Sequence, residues 1–179
     1  MATNAPASTL EIRRLHAVDD LQLQALADVL VDCVEGGASV SFMLPIARDR
    51  ALAFWRHVAD GVARGERLLL VAEDAQGIVA TVQVIVDQPE NQPHRADVAK
   101  MLVHRRARRQ GAGEALMRAA EQAARQAGKT LLVLDTGDDT AARLYTRLGW
   151  RAAGSIPRYA LMPAGGDCAT TFYYRELTA

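Results

Sequence analysis

Residues 96–136, ADVAKMLVHRRARRQGAGEALMRAAEQAARQAGKTLLVLDT, place a strand, a basic loop, a helix and a second strand in close succession. The largely apolar run 96–104 predicts the first strand, and the continuous apolar run 130–136 is typical of a buried one. Between them we expect a helix that ends at Gly128, because glycine commonly follows a last helical turn. The apolar face of this helix repeats at helical spacing, at Leu116, Ala119, Ala120 and Ala123. The stretch therefore predicts a βαβ unit.

The sequence on either side of this unit predicts the remaining elements of an α/β fold. Residues 9–64 predict a strand and then two amphipathic helices, and residues 67–88 predict a hairpin. After the unit, residues 140–149 predict a short helix. Two strands joined by a Gly-Gly turn then end the chain. No internal repeat or low-complexity tract interrupts this order.

Length and charge limit the class of protein. The 179 residues fit one domain, which we expect over residues 9–179 after a flexible tail of residues 1–8. The 21 Lys and Arg residues equal the 21 Asp and Glu residues in number, so no overall positive field is available to bind nucleic acid. We therefore expect the basic loop to act locally, and we expect no nucleic-acid partner.

Targeting segments and metal-ligand patterns are missing from the sequence. The first nine residues lack the basic and apolar regions of a signal peptide, and no apolar run is long enough to span a bilayer. We expect a cytoplasmic protein without a membrane partner. Cys33 and Cys168 show no C-x-x-C spacing, and the four histidines are scattered, so we expect no metal.

The glycines of the basic loop suggest an anion site. A helix start exposes unpaired N–H groups and the positive end of the helix dipole, and Gly111 and Gly113 would let phosphate oxygens approach the backbone. The Walker pattern fails because Glu114 and Ala115 stand where Lys and Ser or Thr are required. The dinucleotide pattern fails because Leu116 stands at its third glycine. Hydrolysis of ATP or GTP and nicotinamide chemistry are both disfavoured.

Two motifs resemble those of the GCN5-related N-acetyltransferases. Arg108–Gly113, RRQGAG, resembles that family's R/Q-x-x-G-x-G/A pyrophosphate loop, and Thr140–Trp150, TAARLYTRLGW, resembles its second signature, A-x-x-L/F-Y-x-x-x-G-F/W. The resemblance implies an α/β fold with a mixed, mostly antiparallel sheet of about seven strands, splayed between strands 4 and 5 and flanked by about four helices. The segments EGGASVSFM, VAKMLV, LLVLDT and GSIPRYALMP are most similar to tabtoxin resistance protein-like small-molecule acetyltransferases.

The same resemblance implies that acetyl-CoA is the co-substrate. Its pantetheine would lie along Met101, Leu102 and Val103, with Leu134 and Asp135 opposite, as an extended ligand lies along a strand edge. A backbone N–H near Leu102 would polarise the thioester carbonyl. The pyrophosphate would be held by the loop, through Arg108, Arg109, Gln110, Gly111, Ala112, Gly113 and Glu114. The family often carries Asn just before its second signature, where this chain has Asp138.

Direct transfer requires that a carboxylate or a water chain deprotonate the acceptor amine, whose reference pKa is about 10.4 for a Lys-like group. We favour Asp97 and Asp135 for proton removal and for binding the substrate's ammonium group. Strict strand alternation would place Asp97 on the same face as Met101 and Val103. Each carboxylate also has a structural alternative: Asp97 could pair with Arg95 or Lys100, and Asp135 could cap the turn at Thr136–Gly137. Glu73 is a reserve base.

Tyr145 stands where the family's tyrosine gives a proton to the leaving thiolate. Its alternative role is that of a core aromatic beside Leu144 and Leu148. The acceptor pocket would be walled by residues 36–45 and 155–168, with Phe42, Arg158 and Tyr159 as candidate contacts. Arg158 could bind a substrate carboxylate or lie solvated in a turn.

These observations favour an enzyme that acetylates the primary amine of a small molecule, such as an amino-acid-like toxin or antibiotic, in a ternary complex. Cys33 and Cys168 lie outside both motifs, which argues against an acetyl-cysteine route. The alternatives are a non-catalytic acyl-CoA sensor or toxin-sequestering protein, and an enzyme that acetylates proteins or peptides. A homodimer could form at an edge strand within residues 169–177.

Overall fold

The computed structural model describes residues 10–177. The predicted tail, residues 1–8, lies outside the described residues. Within residues 10–177, seven strands and four α-helices occur in the order β1 (Glu11–Leu15), α1 (Asp20–Glu35), α2 (Arg48–Ala63), β2 (Arg67–Asp74), β3 (Gly77–Ile85), β4 (Arg95–Val103), α3 (Ala112–Gln126), β5 (Leu131–Thr136), α4 (Asp139–Arg147), β6 (Arg151–Leu161) and β7 (Asp167–Glu176). A single 3₁₀ turn, Arg105–Ala107, follows β4.

The strands form one mixed sheet in the order β1-β2-β3-β4-β5-β7-β6. Neighbouring strands are antiparallel except β4 and β5, which are parallel. Pairing of β4 with β5 begins at Arg95 and Leu131 and ends at Asp97 and Val133. The later residues of the two strands diverge and leave a cleft. The predicted fold class, with its splay between strands 4 and 5, is confirmed.

Helices cover both faces of the sheet and create two apolar cores. Helices α1 and α2 pack on one face, where Leu26 and Trp55 are fully buried. Helix α3 packs on the other face, where Leu116 and Met117 are fully buried. We call these the α1/α2 face and the α3 face. Burial of large apolar side chains on both faces stabilises the sheet and fixes the position of the cleft.

A bulge in β4 reverses the faces that its side chains occupy. Thr81 of β3 pairs with Leu102 and Gln83 pairs with Ala99, so one residue of β3 lies opposite two residues of β4. Lys100, one of these two, has a φ of 52°. Consequently Val98 and Met101 both pack in the core of the α3 face, whereas Leu102 packs in the core of the α1/α2 face.

The prediction that Asp97 shares a face with Met101 and Val103 is therefore wrong. Asp97 precedes Val98 and so points to the α1/α2 face, while Met101 and Val103 contact the core of the α3 face. Period-two alternation gives the correct face up to Ala99 and fails at the inserted residue.

The C-terminal strands also differ from the expected arrangement. Strand β7 lies between β5 and β6, so the prediction that residues 169–177 form a sheet edge is wrong. Its Tyr173 is 7% exposed in the core, which explains why this strand takes the interior position. Strand β6 forms the edge, carries Pro157 and is exposed along most of its length. The prediction of a homodimer is not tested by this arrangement.

No helix in the described part of the chain combines the length and apolar character required to cross a bilayer.

Candidate active site

The start of α3 is open to an anion. Its N-cap residue, Gly111, has a φ of 84° and provides no side-chain capping bond. The first N–H groups of a helix have no intrahelical partners, and they lie at the positive end of the helix dipole. A Cβ atom built on Gly111 would meet no atom within 4 Å, so a ligand can approach the backbone there. This geometry suits a phosphate group.

Gly113 has a different role from the one its motif suggests. A Cβ atom on this residue would lie 3.2 Å from Cδ2 of Leu144 and 3.7 Å from Sδ of Met101. The absence of a side chain therefore allows α3, α4 and β4 to approach closely where the cleft opens. Gly111 leaves space for a ligand, whereas Gly113 allows the packing that surrounds it.

Several side chains of the basic loop are held by contacts within the protein. Arg105 forms an ion pair with Asp32, and Arg106 forms one with Asp74, so both arginines are held by the protein. Arg108 donates from Nε to the carbonyl oxygen of Val103 at 3.3 Å.

Other loop side chains are also directed toward the protein. Gln110 donates from its amide to the carbonyl oxygen of Arg106 at 3.0 Å. Glu114 accepts from Arg118 at 2.9 Å and lies 3.6 Å from Arg147. Arg109 has a φ of 61°, which turns the chain toward Gly111. The backbone of the loop remains the best candidate for binding an anion, and the side-chain contacts stay predictions.

The cleft lies between two strand edges. Leu102 and Val103 are paired with β3 on one side. Across the cleft, Leu134 and Asp135 are paired with β7 at Tyr173 and Phe172. Since β4 and β5 separate after Asp97, their facing edges suit an extended ligand that forms backbone hydrogen bonds. The bulge at Lys100 interrupts the pairing of β3 with β4 next to Leu102. That a backbone N–H near Leu102 polarises the thioester carbonyl stays a prediction.

Tyr145 of α4 is 5% exposed and packs against the rings of Tyr173, at 5.9 Å between centroids, and Trp150, at 6.1 Å. Burial, together with the negative charges of Asp138 and Asp135, raises the pKa of the Tyr145 phenol well above its usual value. The phenol is therefore protonated at neutral pH and is able to donate. Core packing and proton donation are compatible, because the packing fixes the ring at the C-terminal end of β5.

The two candidate carboxylates have different environments. Asp97 forms an ion pair with Arg95 and accepts from Nε2 of Gln88 at 3.1 Å, so the structural alternative for Asp97 is realised. Asp135 is exposed to the cleft. Partial burial raises its pKa; the charge of Lys100 opposes that rise, and the charge of Asp97 adds to it. A carboxylate with a raised pKa takes up a proton more readily, which favours Asp135 as the base.

The residues around these carboxylates have structural roles. The turn after Asp135 is closed by Thr136, whose Oγ1 accepts from the N–H of Asp138 at 3.0 Å. Asp138 is the N-cap of α4 and accepts from the N–H of Ala141 at 2.7 Å. The side chain at the family's Asn position is thus engaged in capping a helix. Glu73 forms a two-point ion pair with Arg13 of β1, and this pairing weakens its candidacy as reserve base.

The two segments predicted to wall the acceptor pocket are in contact. Oγ of Ser39 donates to the carbonyl oxygen of Leu161, and the N–H of Leu44 donates to that of Pro163, both at 2.9 Å. These bonds join the α1–α2 loop to the β6–β7 turn. They connect the two predicted walls of the acceptor pocket.

The three candidate substrate contacts differ in exposure. Phe42 is 8% exposed and packs edge-on against Phe54 at 5.4 Å between centroids. Tyr159 is half exposed, and its ring lies edge-on to that of Phe172 at 5.5 Å between centroids. Phe172 pairs with Asp135 in the sheet. Arg158 is exposed on the edge strand with a φ of 53°. Tyr159 is the best placed of the three, and Phe42 supports the pocket from the core.

A cationic cluster on the α1/α2 face was not predicted from the sequence. Lys100 donates from Nζ to Oγ of Ser41 at 3.1 Å and lies 5.7 Å from the ring centroid of Phe54. Arg67 donates from Nη1 to Oε1 of Gln83 at 3.1 Å. Burial lowers the pKa of Lys100; Asp135 opposes this effect, and Arg67 adds to it. The sequence feature that could have indicated this cluster is Gln83, a polar residue inside the apolar strand GIVATVQVI.

Comparisons with known proteins agree with this geometry. A family model described as an acetyltransferase (GNAT) domain matches residues 65–152. An N-acetyltransferase from Staphylococcus aureus Mu50 is 17% identical, with a TM-score of 0.78 over 96% of this chain and 100% of that one. The protein yncA from Salmonella typhimurium, solved with its cofactor acetyl-CoA, is 19% identical, with a TM-score of 0.76 over 94% of each chain. A ribosomal-protein-alanine N-acetyltransferase from Brucella melitensis is 21% identical, with a TM-score of 0.76 over 93% of this chain and 99% of that one.

The structural likenesses establish the fold, and the matched segment contains the β4–β5 cleft, the loop that precedes α3 and Tyr145. The narrower resemblance to tabtoxin resistance-like enzymes stays a prediction. The chain is thus similar to GNAT acetyltransferase domains over residues 65–152 and shares the fold of the solved N-acetyltransferases.

Proposed function

We propose that this protein is an acetyl-CoA-dependent N-acetyltransferase that acts on the primary amine of a small molecule by direct attack in a ternary complex. One observation carries the proposal: the uncapped start of α3 closely approaches β4, at Met101, and α4, the helix that carries Tyr145, beside the point where β4 and β5 separate. The start of α3 can bind a pyrophosphate, the strand edges can hold an extended chain, and Tyr145 can donate a proton.

The residues of the cleft fit the requirements of acetyl transfer. When bound, acetyl-CoA supplies the acetyl thioester and departs as the free thiol. Asp135, whose pKa is raised, accepts the proton of the acceptor amine, and Asp97 adds negative charge that favours binding of an ammonium group. Tyr145 donates a proton to the departing sulfur. No step is assigned to a metal.

Closure of the acceptor side favours a small acceptor. The α1–α2 loop is hydrogen-bonded to the β6–β7 turn through Ser39 and Leu44, and it contacts β4 through Ser41 and Lys100. A folded protein or long peptide would need an open groove at this position. We therefore favour a small amine, such as an amino-acid-like toxin or antibiotic.

A protein acceptor is the second candidate. The likeness to the ribosomal-protein-alanine N-acetyltransferase of Brucella melitensis favours it, since that enzyme's name specifies a protein substrate. A non-catalytic acyl-CoA sensor or a toxin-sequestering protein would retain the anion-binding loop without turnover.

Thiol release from acetyl-CoA tests these alternatives. We would measure it with a panel of amino acids, amino-acid-like toxins, aminoglycosides and an N-terminal alanine peptide, and measure CoA binding by calorimetry. We expect release with a small amine and a steep decrease in the Tyr145→Phe variant. Release with the peptide alone would favour the protein acceptor, and CoA binding without any release would favour the sensor or the sequestering protein.

A further inference from the structure

Lys100 occupies an unusual backbone position beside the acceptor side of the cleft. Its φ of 52° lies in the left-handed region, which is uncommon for residues other than glycine and asparagine. The β4 bulge that contains it brings its side chain toward Ser41 of the α1–α2 loop. Strained conformations of this kind persist where the surrounding structure enforces them, often at binding sites.

The groups around Lys100 present hydrogen-bond donors without a matching acceptor. Gln83 is 1% exposed, and its Nε2 has no hydrogen-bond partner, while its Oε1 is occupied by Arg67. Arg67 thereby fixes the amide with its N–H₂ group free. Leaving a buried donor unpaired is costly, so an acceptor supplied by a ligand would restore the lost bond.

The ammonium group of Lys100 is likewise only partly satisfied. It donates to one neutral hydroxyl, that of Ser41, and forms no ion pair with a carboxylate within the described residues 10–177. Asp135 is near enough for the two charges to interact, but the residues do not form an ion pair. Lys100 and Asp135 therefore offer a cation and a carboxylate that interact at a distance without being joined.

We propose that Lys100 and Gln83 bind a carboxylate group of the acceptor, so that the substrate is an amino acid whose amine lies at Asp135. This inference rests on the proposed function and names its substrate class. An amino acid carries the two groups that this arrangement lacks: an anion for the donors of Lys100 and Gln83, and an amine for Asp135. Arg67 acts as a positioning residue through its bond to Gln83. Phe42 and Phe54, beside Lys100, favour an apolar side chain.

The test compares matched acceptors that differ only in the carboxylate. We would measure kcat and KM for phenylalanine and leucine, for their amides, and for phenethylamine and isoamylamine. For the wild-type protein we expect kcat/KM to be at least about tenfold higher for the acids than for the amides. In the Lys100→Met variant we expect this preference to disappear, mainly through a higher KM for the acids. Lys100→Arg should retain part of it.

Two further variants separate Lys100 from the exposed arginines of β6. Arg158→Gln removes the other candidate for binding a carboxylate, and Arg151→Gln removes a matched arginine of the same strand. We expect both variants to keep the acid preference. A thermal melt of each variant checks that it folds.

The outcomes distinguish the two proposals. Equal turnover of acids and amides by the wild type, or an equal loss for both acceptor classes in Lys100→Met, would overturn the carboxylate site while leaving the transferase in place. Loss of the preference in Arg158→Gln, with Lys100→Met unaffected, would also overturn it. Calorimetric binding of CoA with no thiol release from any acceptor would overturn both proposals.

Discussion

Arg105 donates to the carboxylate of Asp32 from both its backbone N–H and its Nε, at 2.8 Å in each case. The bonds join the last turn of α1 to the loop that precedes α3. Burial acts to raise the pKa of Asp32, but the backbone and side-chain hydrogen bonds from Arg105 outweigh it, so the pKa is lowered. The loop that precedes α3, the proposed anion site, is therefore anchored to α1 by a charge-assisted contact.

We expect Asp32→Asn to weaken both folding and CoA binding. Loss of the charged acceptor should cost about 1–3 kcal/mol in the free energy of unfolding. The loosened loop should raise the calorimetric Kd for CoA several-fold. Asp28→Asn is the matched control, because Asp28 is an exposed α1 carboxylate that pairs with Arg48 away from the loop. An Asp32→Asn variant with unchanged CoA affinity would contradict the anchoring role.

The same pair has a defined pH dependence. Because folding lowers the pKa of Asp32 below its ordinary value of 3.8, its contribution to stability is complete above about pH 4–5. The contribution is lost as the pH falls through the lowered pKa. The stability difference between wild type and Asp32→Asn should thus be constant from pH 7 to about 5 and shrink in more acidic solution.

Removal of the Tyr145 hydroxyl should affect turnover and little else. In Tyr145→Phe we expect kcat to fall by about 10²–10⁴-fold, since a proton donor of this kind contributes that much. The ring contacts with Trp150 and Tyr173 remain, so the free energy of unfolding and the Kd for CoA should change little. Tyr173→Phe removes a neighbouring buried phenol as the control. Equal kcat losses in both variants would indicate that packing, and not proton donation, explains the effect.

Asp135 should set the acidic limb of the pH–rate profile. Since its pKa is raised above 3.8, the fall in kcat/KM should begin at a higher pH than an ordinary carboxyl group would give. Asp135→Asn should lower kcat/KM by about 10²-fold or more and remove the limb. Asp97→Asn should have a smaller effect, because Asp97 is paired with Arg95. A limb that moves with the pKa of the acceptor amine would instead assign the titration to the substrate.

The order of helices and strands could be predicted from apolar periodicity and glycine positions. The separation of β4 from β5 was predicted from the family resemblance carried by RRQGAG and the Tyr145 motif. The bulge could not be predicted, because the pattern VAKMLV satisfies period-two alternation with or without an inserted residue. The prediction that Asp97 and Met101 lie on the same face of the sheet was therefore wrong. The cluster of Arg67, Gln83 and Lys100 joins residues far apart in sequence, so no local spacing indicated it.

Gly111 and Gly113 should respond differently to alanine. Gly111→Ala places a side chain at a φ of 84°, which costs about 1–2 kcal/mol, and it crowds the space left for an anion. Gly65→Ala is the control for the strain alone, since Gly65 has a φ of 75° in the turn after α2. We expect similar losses of stability in these two variants but a loss of CoA affinity, by calorimetry, in Gly111→Ala only.

Gly113→Ala tests the packing role instead. Its new methyl group would press against Leu144, which lies on the same helix as Tyr145. We expect lower stability and a lower kcat because α4 must shift. An unchanged kcat would show that the close approach of α3 and α4 does not position the tyrosine.

Replacement of Lys100 should stabilise the protein while it impairs function. Folding lowers the pKa of Lys100, chiefly through burial, so the unfolded chain holds this proton more tightly than the native state does. The charged lysine therefore destabilises the native state at neutral pH, and this penalty disappears as the pH rises from the lowered pKa toward the ordinary value of 10.5.

Lys100→Met should raise the free energy of unfolding by up to about 1 kcal/mol at pH 7, as substitutions at strained functional sites commonly do. Denaturant melts at pH 7 and in alkaline solution would measure the gain, which should shrink at high pH. A destabilised Lys100→Met variant would mean that the contacts with Ser41 and Phe54 are structural, and that the lysine is retained for the fold and not for the substrate.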